Sequence, residues 1–577
     1  MPLKRILSVI VIAALLSGFF LPLLEANAET VNFSDVPENH WAYQQVLRLK
    51  ELKITQGIGN NQFGLGKTIT RGEFVTFLVR LMGWALIKPE TQSFKDLPDS
   101  HHFYSPIETA RAHGVIVKDS DNFRPNDPIT REEMAVMIVR TLGYDTLANQ
   151  LSYLGKPFPD VVSHAGYITI GKDLGIINGV DKQRFAPSES ATREQAAAMM
   201  IRMYDKLNAP LNELHAFYAI SSSSQMDKFS QLDSVSFGWA RLEYDSSAQT
   251  VIINTDRQDN DYYIPDQYSE VISKAQQNGL SRQLMFFVKE EMVYDEAAQR
   301  NVPLAEFIIT NPEVRKQVIN AMVNQVILTE KHGSQTSFDG LVSDFEGLKG
   351  ESLKSAYNAF LTELKAELTK AGKKLYVTVH PMRRPGLECY DGYDYRTIGK
   401  LADRVILMAH DYDATALTDA ERAMGYNDTP VTPLDEVYYA LKSITDPVTG
   451  VEDVSKVWLQ LSMDTSQWKL KNGKVDHRFA YHPTYEQLYQ RFLKGVSINY
   501  SNLSQNPYAK YYNTEDGTDN IIWYEDQRSV AAKIKLAKMF GIKGLSLWRL
   551  GNIPEYPDAA GQSFYLNIWQ EIIQHYQ

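Results

Sequence analysis

Eight short apolar segments alternate with helical patterns from His215 onward, and this alternation is the strongest constraint on the fold. Such alternation is typical of parallel sheets, whose strands are joined by crossover helices. Eight units over residues 215–577 predict a (β/α)8 barrel of ordinary size with insertions. The predicted strands are His215–Ile220, Ser234–Trp239, Gln283–Val288, Phe338–Asp344, Lys374–His380, Arg404–Ala409, Val457–Ser462 and Gly544–Trp548.

Polar and aromatic side chains follow several of these strands, at the end where barrel enzymes carry their chemistry. The fourth strand runs out in Asp344 and Glu346, which two-residue alternation places on one face. His380, the run 408–411 and Trp548 lie at the ends of other strands. Paired carboxylates suit acid–base chemistry on sugars. The alternative for an isolated Asp-x-Glu pattern is a solvated surface ion pair.

Residues 338–346, Phe-Asp-Gly-Leu-Val-Ser-Asp-Phe-Glu, resemble the fourth-strand motif Asp-x-x-Asp-x-Asp-x-Glu of family 18 glycoside hydrolases, the chitinase-like barrels. Residues 523–529 and 544–548 are similar to the bacterial cell-wall and spore-associated branch. The resemblance implies that Glu346 protonates the glycosidic oxygen. It also implies that Asp344 holds the 2-acetamido group of the substrate, whose own carbonyl oxygen attacks the anomeric carbon.

The same resemblance implies further substrate-binding residues on the fourth, sixth and eighth strands. They are Asp339, Met408, His410, Asp411 and Trp548. Trp548 would form an aromatic floor under a sugar ring, with core packing as the alternative. Asp339 matches the first Asp of the motif, although alternation places it off the catalytic face and favours a structural role where the strand begins.

Two positions depart from the family pattern. Val342 stands where the motif has its second Asp, so Asp344 lacks an acidic neighbour on its own strand and is expected to remain oriented toward Glu346. His410 replaces a Tyr of the sixth strand and introduces a group that titrates near neutral pH. We expect His410 to act as a neutral hydrogen-bond donor. Because Glu346 is retained, the pattern favours an enzyme over a sugar-binding relative.

Three copies of one pattern precede the barrel, which indicates a repeated module whose units pack on each other. The copies open at Phe33–Val36, Phe94–Leu97 and Phe158–Val161, and later motifs recur at 69–73, 129–133 and 191–195. Each late motif predicts a helix start with Thr as the N-cap. The strict capping box is expected in the second and third copies, at Thr130 and Thr192, and expected to be broken in the first.

These copies resemble S-layer homology domains, which form a three-pronged, mainly α-helical unit and bind secondary cell-wall polysaccharide. The resemblance implies that Arg71, Arg131 and Arg193 contact the anionic polymer, since a guanidinium suits its acidic groups. Trp41 is expected to join them in the first copy. The alternative is that each Arg pairs with a neighbouring Glu to close a helix cap.

The first 28 residues read as a signal peptide: Lys4 and Arg5 precede an apolar run that ends in a small-residue cleavage signal. An uncleaved membrane anchor is the alternative. No transmembrane segment is expected once the signal is removed. The predicted boundaries are 1–28 for the signal, 31–89, 92–151 and 156–207 for the repeats, 208–214 for a linker and 215–577 for the barrel.

Composition narrows the function further. The net charge of −11 argues against nucleic-acid binding and leaves no polybasic membrane patch. Cys389 is the single cysteine, so the chain forms no internal disulfide. No Cys/His spacing indicates a structural metal, and no cofactor is expected. The stretch from Asp464 to Trp523 predicts a small loop-and-hairpin insertion after the seventh strand, in which Trp468 is a sugar platform or a packing residue.

Together these patterns predict a secreted glycoside hydrolase anchored in the wall of a Gram-positive-type cell. The expected substrate is a β-1,4-linked polymer containing N-acetylglucosamine, either chitin-like or the peptidoglycan glycan. The expected mechanism is retaining and substrate-assisted. The alternative is a non-catalytic glycan-binding or structural protein of the S-layer.

Overall fold

The structure is a computed structural model that describes residues 32–151, 155–412 and 416–576. The predicted signal peptide lies outside these residues. These residues form two compact units, one of residues 32–141 with 186–202 and the other of the described residues in 142–185 and 203–576. The predicted third repeat is therefore divided between the two units.

The first unit is built from short helices around a closed ring of backbone hydrogen bonds. Ile69 N–H donates to Ala191 O (3.1 Å), Ala191 N–H to Ile129 O (2.8 Å) and Ile129 N–H to Ile69 O (3.0 Å). One residue from each sequence repeat thus supplies a donor and an acceptor, and all three are fully buried. The helices of this unit are Tyr43–Glu51, Arg71–Leu81, Tyr104–Ala112, Arg131–Thr141 and the part of Arg193–Leu207 up to Arg202.

The helix starts beside this ring are capped as the Thr motifs predict, with one correction. Thr70 and Glu73 form a complete capping box, so the box expected to be broken in the first copy is present. Thr130 with Glu133 and Thr192 with Gln195 make the same reciprocal bonds. Each cap satisfies backbone N–H groups that the first helical turn leaves unpaired.

The arginines that follow these caps connect different repeats. Arg71 forms an ion pair with Glu133, and its Nε donates to Phe123 O at 2.9 Å. Arg193 lies 2.7 Å from Glu73, its Nε donates to Phe63 O at 2.8 Å, and its side chain is only 3% exposed. Arg131 is also buried. These contacts favour the structural role over direct contact with a polymer.

Replacing Arg193 by methionine is expected to destabilise the first unit by about 2 kcal/mol, because Glu73 would lose its partner in a largely buried pair. Differential scanning calorimetry of the full chain would report this as a lower midpoint of one transition. Arg111→Met, which removes an exposed arginine of the same unit, is the control and should change the midpoint little. Equal midpoints for both variants would show that the pair contributes nothing.

The second unit contains a closed barrel of eight parallel strands. The strands pair in chain order, and the first strand closes the barrel by pairing with both the second and the eighth. The observed strands are Glu213–Tyr218, Ser234–Asp245, Ser281–Val288, Gly340–Asp344, Lys374–Val379, Arg404–Leu407, Val457–Ser462 and Gly544–Trp548. Every predicted strand is found, and the predicted barrel is confirmed.

Helices follow the barrel strands and cover their outer face. Residues at the N-termini determine where several of these helices begin. Asn311 caps the helix that begins with Pro312, and Asp526 caps the helix before the eighth strand. The helices from this part of the chain are Tyr268–Gln277, Leu304–Thr310, Pro312–Ile327, Gly350–Lys370, Tyr395–Leu401, Asp419–Met424, Leu434–Ile444, Tyr485–Phe492, Gln527–Met539 and Ile568–His575. Residues 142–185 add Asp145–Leu151 and Ala165–Asp173.

The barrel interior is filled by side chains from successive strands. Its buried cluster comprises Phe217, Met285, Val342, Tyr376, Ile406 and Trp458. Val342 belongs to this cluster, and two-residue alternation then directs Asp344 to the same side of its strand. The interior is therefore a packed core that ends in polar groups at the carboxyl ends of the strands.

The insertion after the seventh strand spans the predicted residues but is more regular than predicted. It forms a five-stranded antiparallel sheet with a helix, Tyr485–Phe492, in place of a loop and hairpin. The strands are Ser466–Lys471, Lys474–Val475, Ser497–Ser501, Asn506–Asn513 and Thr518–Trp523. Trp468 is fully buried, and its Nε1 donates to Thr429 at 2.7 Å, so it is a packing residue and not a sugar platform.

Candidate active site

The carboxyl ends of the fourth, fifth and sixth strands converge on one cavity of about 430 Å³. Of the residues predicted from sequence, Glu346, Met408, His410 and Asp411 line this cavity. Asp344 lies beneath Glu346 as the last residue of the fourth strand and is almost fully buried. The two carboxylates therefore lie at different depths: Asp344 is at the top of the barrel core, and Glu346 is in the cavity wall.

Asp344 is held by a residue of the neighbouring strand. Thr378 Oγ1 donates to Asp344 Oδ1 at 2.5 Å. Burial raises the pKa of Asp344 to about 6, although the Thr378 hydrogen bond and the charge of His410 oppose that rise. Thr378 belongs to the fifth strand. It fixes the direction of the Asp344 carboxylate, which has no acidic neighbour on its own strand.

Glu346 is poised to stay protonated at neutral pH. Burial of its carboxyl group and the neighbouring charge of Asp344 raise the pKa of Glu346 to about 8. Its side chain is nevertheless 35% exposed toward the cavity, so a bound molecule can reach the proton. A buried carboxylate beneath a protonated, accessible carboxyl group is a general-acid arrangement.

His380 also lines the cavity, beside Glu346. Its Nε2 lies 3.7 Å from Glu346 Oε2 and makes no hydrogen bond with any residue that the structure describes. Burial and the charge of His410 lower the pKa of His380 to about 4, so the ring is neutral when Glu346 is protonated. A neutral imidazole carries no positive charge that would lower the pKa of Glu346.

His410 is held between two hydrogen-bond partners. Its Nδ1 lies 2.7 Å from Asp411 Oδ2 and its Nε2 lies 2.7 Å from Gln460 Oε1. Burial of the ring disfavours its charged form, but Asp411 and the two hydrogen bonds outweigh burial and raise the pKa of His410. Both ring nitrogens face acceptor oxygens, which favours the protonated ring, whereas the sequence predicted a neutral donor.

Two predicted substrate-binding residues remain, Trp548 and Asp339. Trp548 ends the eighth strand, is partly exposed and packs against Phe217 at the top of the barrel core. Asp339 precedes the fourth strand, at the opposite end from Glu346, and pairs with Arg282 at 3.2 Å. The predicted substrate contact of Asp339 is therefore corrected to a structural ion pair.

Among the predicted wall-binding residues, Trp41 is the accessible one. Its side chain is 57% exposed, and its ring lies 5.5 Å from that of His40. Exposed aromatic faces suit the apolar faces of sugars. The signature arginines, by contrast, lie among the helix caps described above.

A parallel eight-stranded barrel with a carboxylate pair at its carboxyl end is an arrangement that glycoside hydrolases use. Residues 300–552 match the family model "Glycosyl hydrolases family 18", and residues 32–75, 93–135 and 157–197 match "S-layer homology domain". The barrel thus belongs to glycosyl hydrolase family 18, and the three repeats are S-layer homology domains. Both resemblances are confirmed.

Curated relatives match parts of the chain. An amylopullulanase from Thermoanaerobacterium thermosulfurigenes is 34% identical over 180 residues, which cover 30% of this chain and 10% of the relative. A cortical fragment-lytic enzyme from Bacillus anthracis is 27% identical over 237 residues, which cover 40% of this chain and 50% of the relative. The chain thus spans half or less of the length of these relatives.

Solved structures include the spore cortex-lytic enzyme SleL of Bacillus cereus, with a TM-score of 0.47, 19% identity and coverage of 63% of this chain and 75% of that chain. The S-layer homology domains indicate a cell-surface, cell-wall-associated protein. In the described part of the chain, every helix is too short or too polar to cross a membrane.

Proposed function

We propose that this protein is a wall-anchored glycoside hydrolase that cleaves β-1,4 linkages in a glycan containing N-acetylglucosamine. The observation that carries the proposal is the pair Asp344 and Glu346. Burial raises the pKa of Asp344 to about 6, and burial together with the charge of Asp344 raises that of Glu346 to about 8. Near neutral pH the pair holds one proton, on the accessible member. That is the state a general acid needs before it meets its substrate.

The proposed reaction uses the acetamido group of the substrate as the nucleophile. Glu346 gives its proton to the glycosidic oxygen as the bond to the anomeric carbon breaks. Asp344 accepts the acetamido N–H and orients the carbonyl oxygen, which bonds to that carbon from the opposite face. Glu346, now a carboxylate, takes a proton from the water that opens this ring. Two displacements at one carbon return the original β configuration.

The surroundings support both carboxylates in these roles. The positive charge of His410 lowers the pKa values of both Asp344 and Glu346 and so offsets part of their burial. Thr378 fixes the direction of Asp344. We infer that Met408 and Asp411 contact the sugar from the sixth strand and that Trp548 provides its floor.

The three S-layer homology domains are proposed to attach the enzyme to secondary cell-wall polysaccharide, in a wall of the Gram-positive type. The exposed Trp41 supports a contact with that polymer in the first repeat. The buried, paired state of Arg71 and Arg193 supports a role in keeping the repeats together. Anchoring would hold the hydrolase beside the glycan on which it acts.

The test is incubation of the full chain with chitotetraose and, separately, with purified peptidoglycan, followed by mass spectrometry of the products. Cleavage next to an N-acetylglucosamine residue, with β anomers observed first by NMR, is the expected result. Deacetylated chitotetraose should not be cut, because it lacks the internal nucleophile. Tight binding without cleavage of any N-acetylated glycan would instead favour a glycan-binding protein.

Activity is expected to follow a bell-shaped pH profile with limbs near pH 6 and pH 8. Below about pH 6 Asp344 gains a proton and can no longer accept the acetamido N–H as a carboxylate; above about pH 8 Glu346 loses the proton it must donate. His410→Gln should move both limbs upward because it removes a charge that lowers both pKa values. Measurement of kcat/KM against pH checks this.

The exposed His477 provides the control for that profile, since its replacement by Gln leaves the cavity intact. His477→Gln should leave both limbs in place. Limbs that stay fixed in His410→Gln as well would show that His410 does not carry charge at the site.

A further inference from the structure

A second polar cavity, of about 310 Å³, lies on the insertion sheet. Gln467 and Lys469 line it and alternate with Trp468, so the cavity occupies the face of the sheet opposite the apolar cluster around Trp468. Tyr481, Arg491, Tyr511 and Asn513 complete its main wall. The cavity thus combines two aromatic rings with basic and amide groups.

Arg491 is the unusual residue in this cavity. Its Nη1 donates to Gln467 Oε1 at 3.0 Å, and its guanidinium lies 5.4 Å from the centre of the Tyr511 ring. Among the described residues, no carboxylate lies within 4.0 Å of it. Five other arginines of the same unit that are at least partly buried do reach carboxylates: Arg241 with Glu243, Arg282 with Asp339, Arg315 with Glu363, Arg404 with Glu213 and Arg528 with Asp526. Arg549, like Arg491, has no carboxylate of the described residues within that distance, and it bonds to backbone carbonyls.

The position of Arg491 is fixed by its neighbours and not by an opposite charge. Gln467 is almost fully buried, and its Nε2 donates to Asn520 Oδ1 at 2.6 Å and to Tyr511 Oη at 3.2 Å. Gln467 Oε1 is therefore oriented toward the guanidinium. A prearranged guanidinium with unused N–H groups is suited to a planar, charged acceptor.

The other charged groups of the cavity are already balanced. Lys469 pairs with Asp516 at 3.2 Å and lies over the Tyr481 ring, while Tyr481 Oη donates to Asp476. His482 pairs with Asp464 at 3.3 Å. The positive charge that remains without a described partner is that of Arg491, so an anion is favoured over a neutral or cationic group.

This cavity lies near the proposed catalytic cavity. Asp464, the partner of His482, comes two residues after the seventh barrel strand ends at Ser462. Burial raises the pKa of Asp411, but the charges of His410 and His482 are among the groups that lower it overall, so His482 lies within electrostatic reach of the sugar site. A glycan in the catalytic cavity could extend along the insertion toward Arg491.

We propose that the cavity around Arg491 is a distal subsite for a carboxylate-bearing unit of the glycan. Arg491 binds the carboxylate through its free N–H groups, and the rings of Tyr481 and Tyr511 contact the apolar face of the unit. The subsite rests on the proposed function, since it extends the same glycan beyond the bond that is cut. It selects a glycan with acidic substituents over neutral chitin.

The test measures binding to the full chain in the Glu346→Gln background, so that no probe is consumed. Isothermal titration calorimetry compares chitotetraose, a peptidoglycan tetrasaccharide with free lactyl carboxylates, the same tetrasaccharide with its carboxylates amidated, and one whose lactyl groups carry a short acidic peptide. These arms separate a sugar carboxylate from a peptide carboxylate. Arg491→Met keeps most of the side-chain volume, and Arg491→Lys keeps the charge without the planar fork.

We expect Arg491→Met to reduce the affinity for the acidic tetrasaccharide, relative to chitotetraose, about tenfold or more, and Arg491→Lys to reduce it less. Lys494→Ala removes an exposed charge of the same segment and serves as the control. An unchanged affinity ratio in Arg491→Met, an equal loss in Lys494→Ala, or equally tight binding of the amidated tetrasaccharide would overturn the subsite. Failure of the catalytic proposal appears separately, as absence of turnover in the parent enzyme.

Discussion

Replacing Glu346 by glutamine is expected to lower kcat on N-acetylated glycans by about 10²–10⁴-fold and to leave glycan affinity nearly unchanged. Glutamine has the same shape but no acidic proton, so the leaving oxygen would depart as an unprotonated alkoxide. The side chain is only partly buried, and its neighbour His380 lies 3.7 Å away, so the amide fits without a clash. Stopped assays for turnover and calorimetry with chitotetraose would separate the two effects.

Glu388 provides the matched control because it is a carboxylate of the same cavity. It is largely exposed and pairs with Lys349, away from the Asp344 pair. Glu388→Gln should therefore retain most of the turnover. If Glu346→Gln keeps wild-type kcat, another group supplies the proton and the assignment of the general acid is wrong.

Asp344→Asn is expected to have the second large effect, a loss of about 10²–10⁴-fold in kcat. The amide is neutral, so it cannot stabilise the positive charge that develops as the acetamido oxygen attacks. It also removes the charge that raises the pKa of Glu346. The residual activity should therefore lose its alkaline limb at a lower pH than the wild type, which a simple packing defect would not cause.

Thr378→Val tests how Asp344 is positioned without changing the carboxylate. The variant removes the hydrogen bond that Thr378 donates to Asp344 Oδ1. In the wild type this bond lowers the pKa of Asp344, so its loss should raise that pKa. The acid limb of the profile should then move to higher pH, with a smaller loss of kcat than in Asp344→Asn. An acid limb that does not move in Thr378→Val would indicate that a different group controls it.

Much of the barrel could be predicted because each strand is encoded locally. Short apolar runs between helical patterns mark every barrel strand, and the carboxyl ends follow from chain direction. The bounds of the insertion were predicted, but its five-stranded sheet was not, because its strands are short and polar on one face, as at Gln467 and Lys469. Pairing across the segments from Ser466 to Trp523 depends on tertiary contacts that a single sequence does not reveal.

Less of the candidate site than of the barrel could be predicted from the sequence. Asp344 and Glu346 are recognised by their spacing, but the partner of Asp344 comes from the next strand and that of His410 comes from Gln460 on the seventh. Those contacts depend on register and on barrel closure. The raised pKa of His410 was not predicted, because Gln460, one of the two acceptors that favour its protonated form, lies on another strand.

The ring of backbone hydrogen bonds at the centre of the first unit has a consequence for the order in which this chain can mature. Its members come from all three repeats, and Arg193 meets Glu73 across 120 residues of sequence. Closing so long a loop carries an entropic cost that local helices do not recover, so it is a late step in folding. A nascent chain that has released only its first two repeats still lacks one donor and one acceptor. The ring would therefore stay open until the third repeat arrives, when synthesis of the hydrolase barrel is already under way.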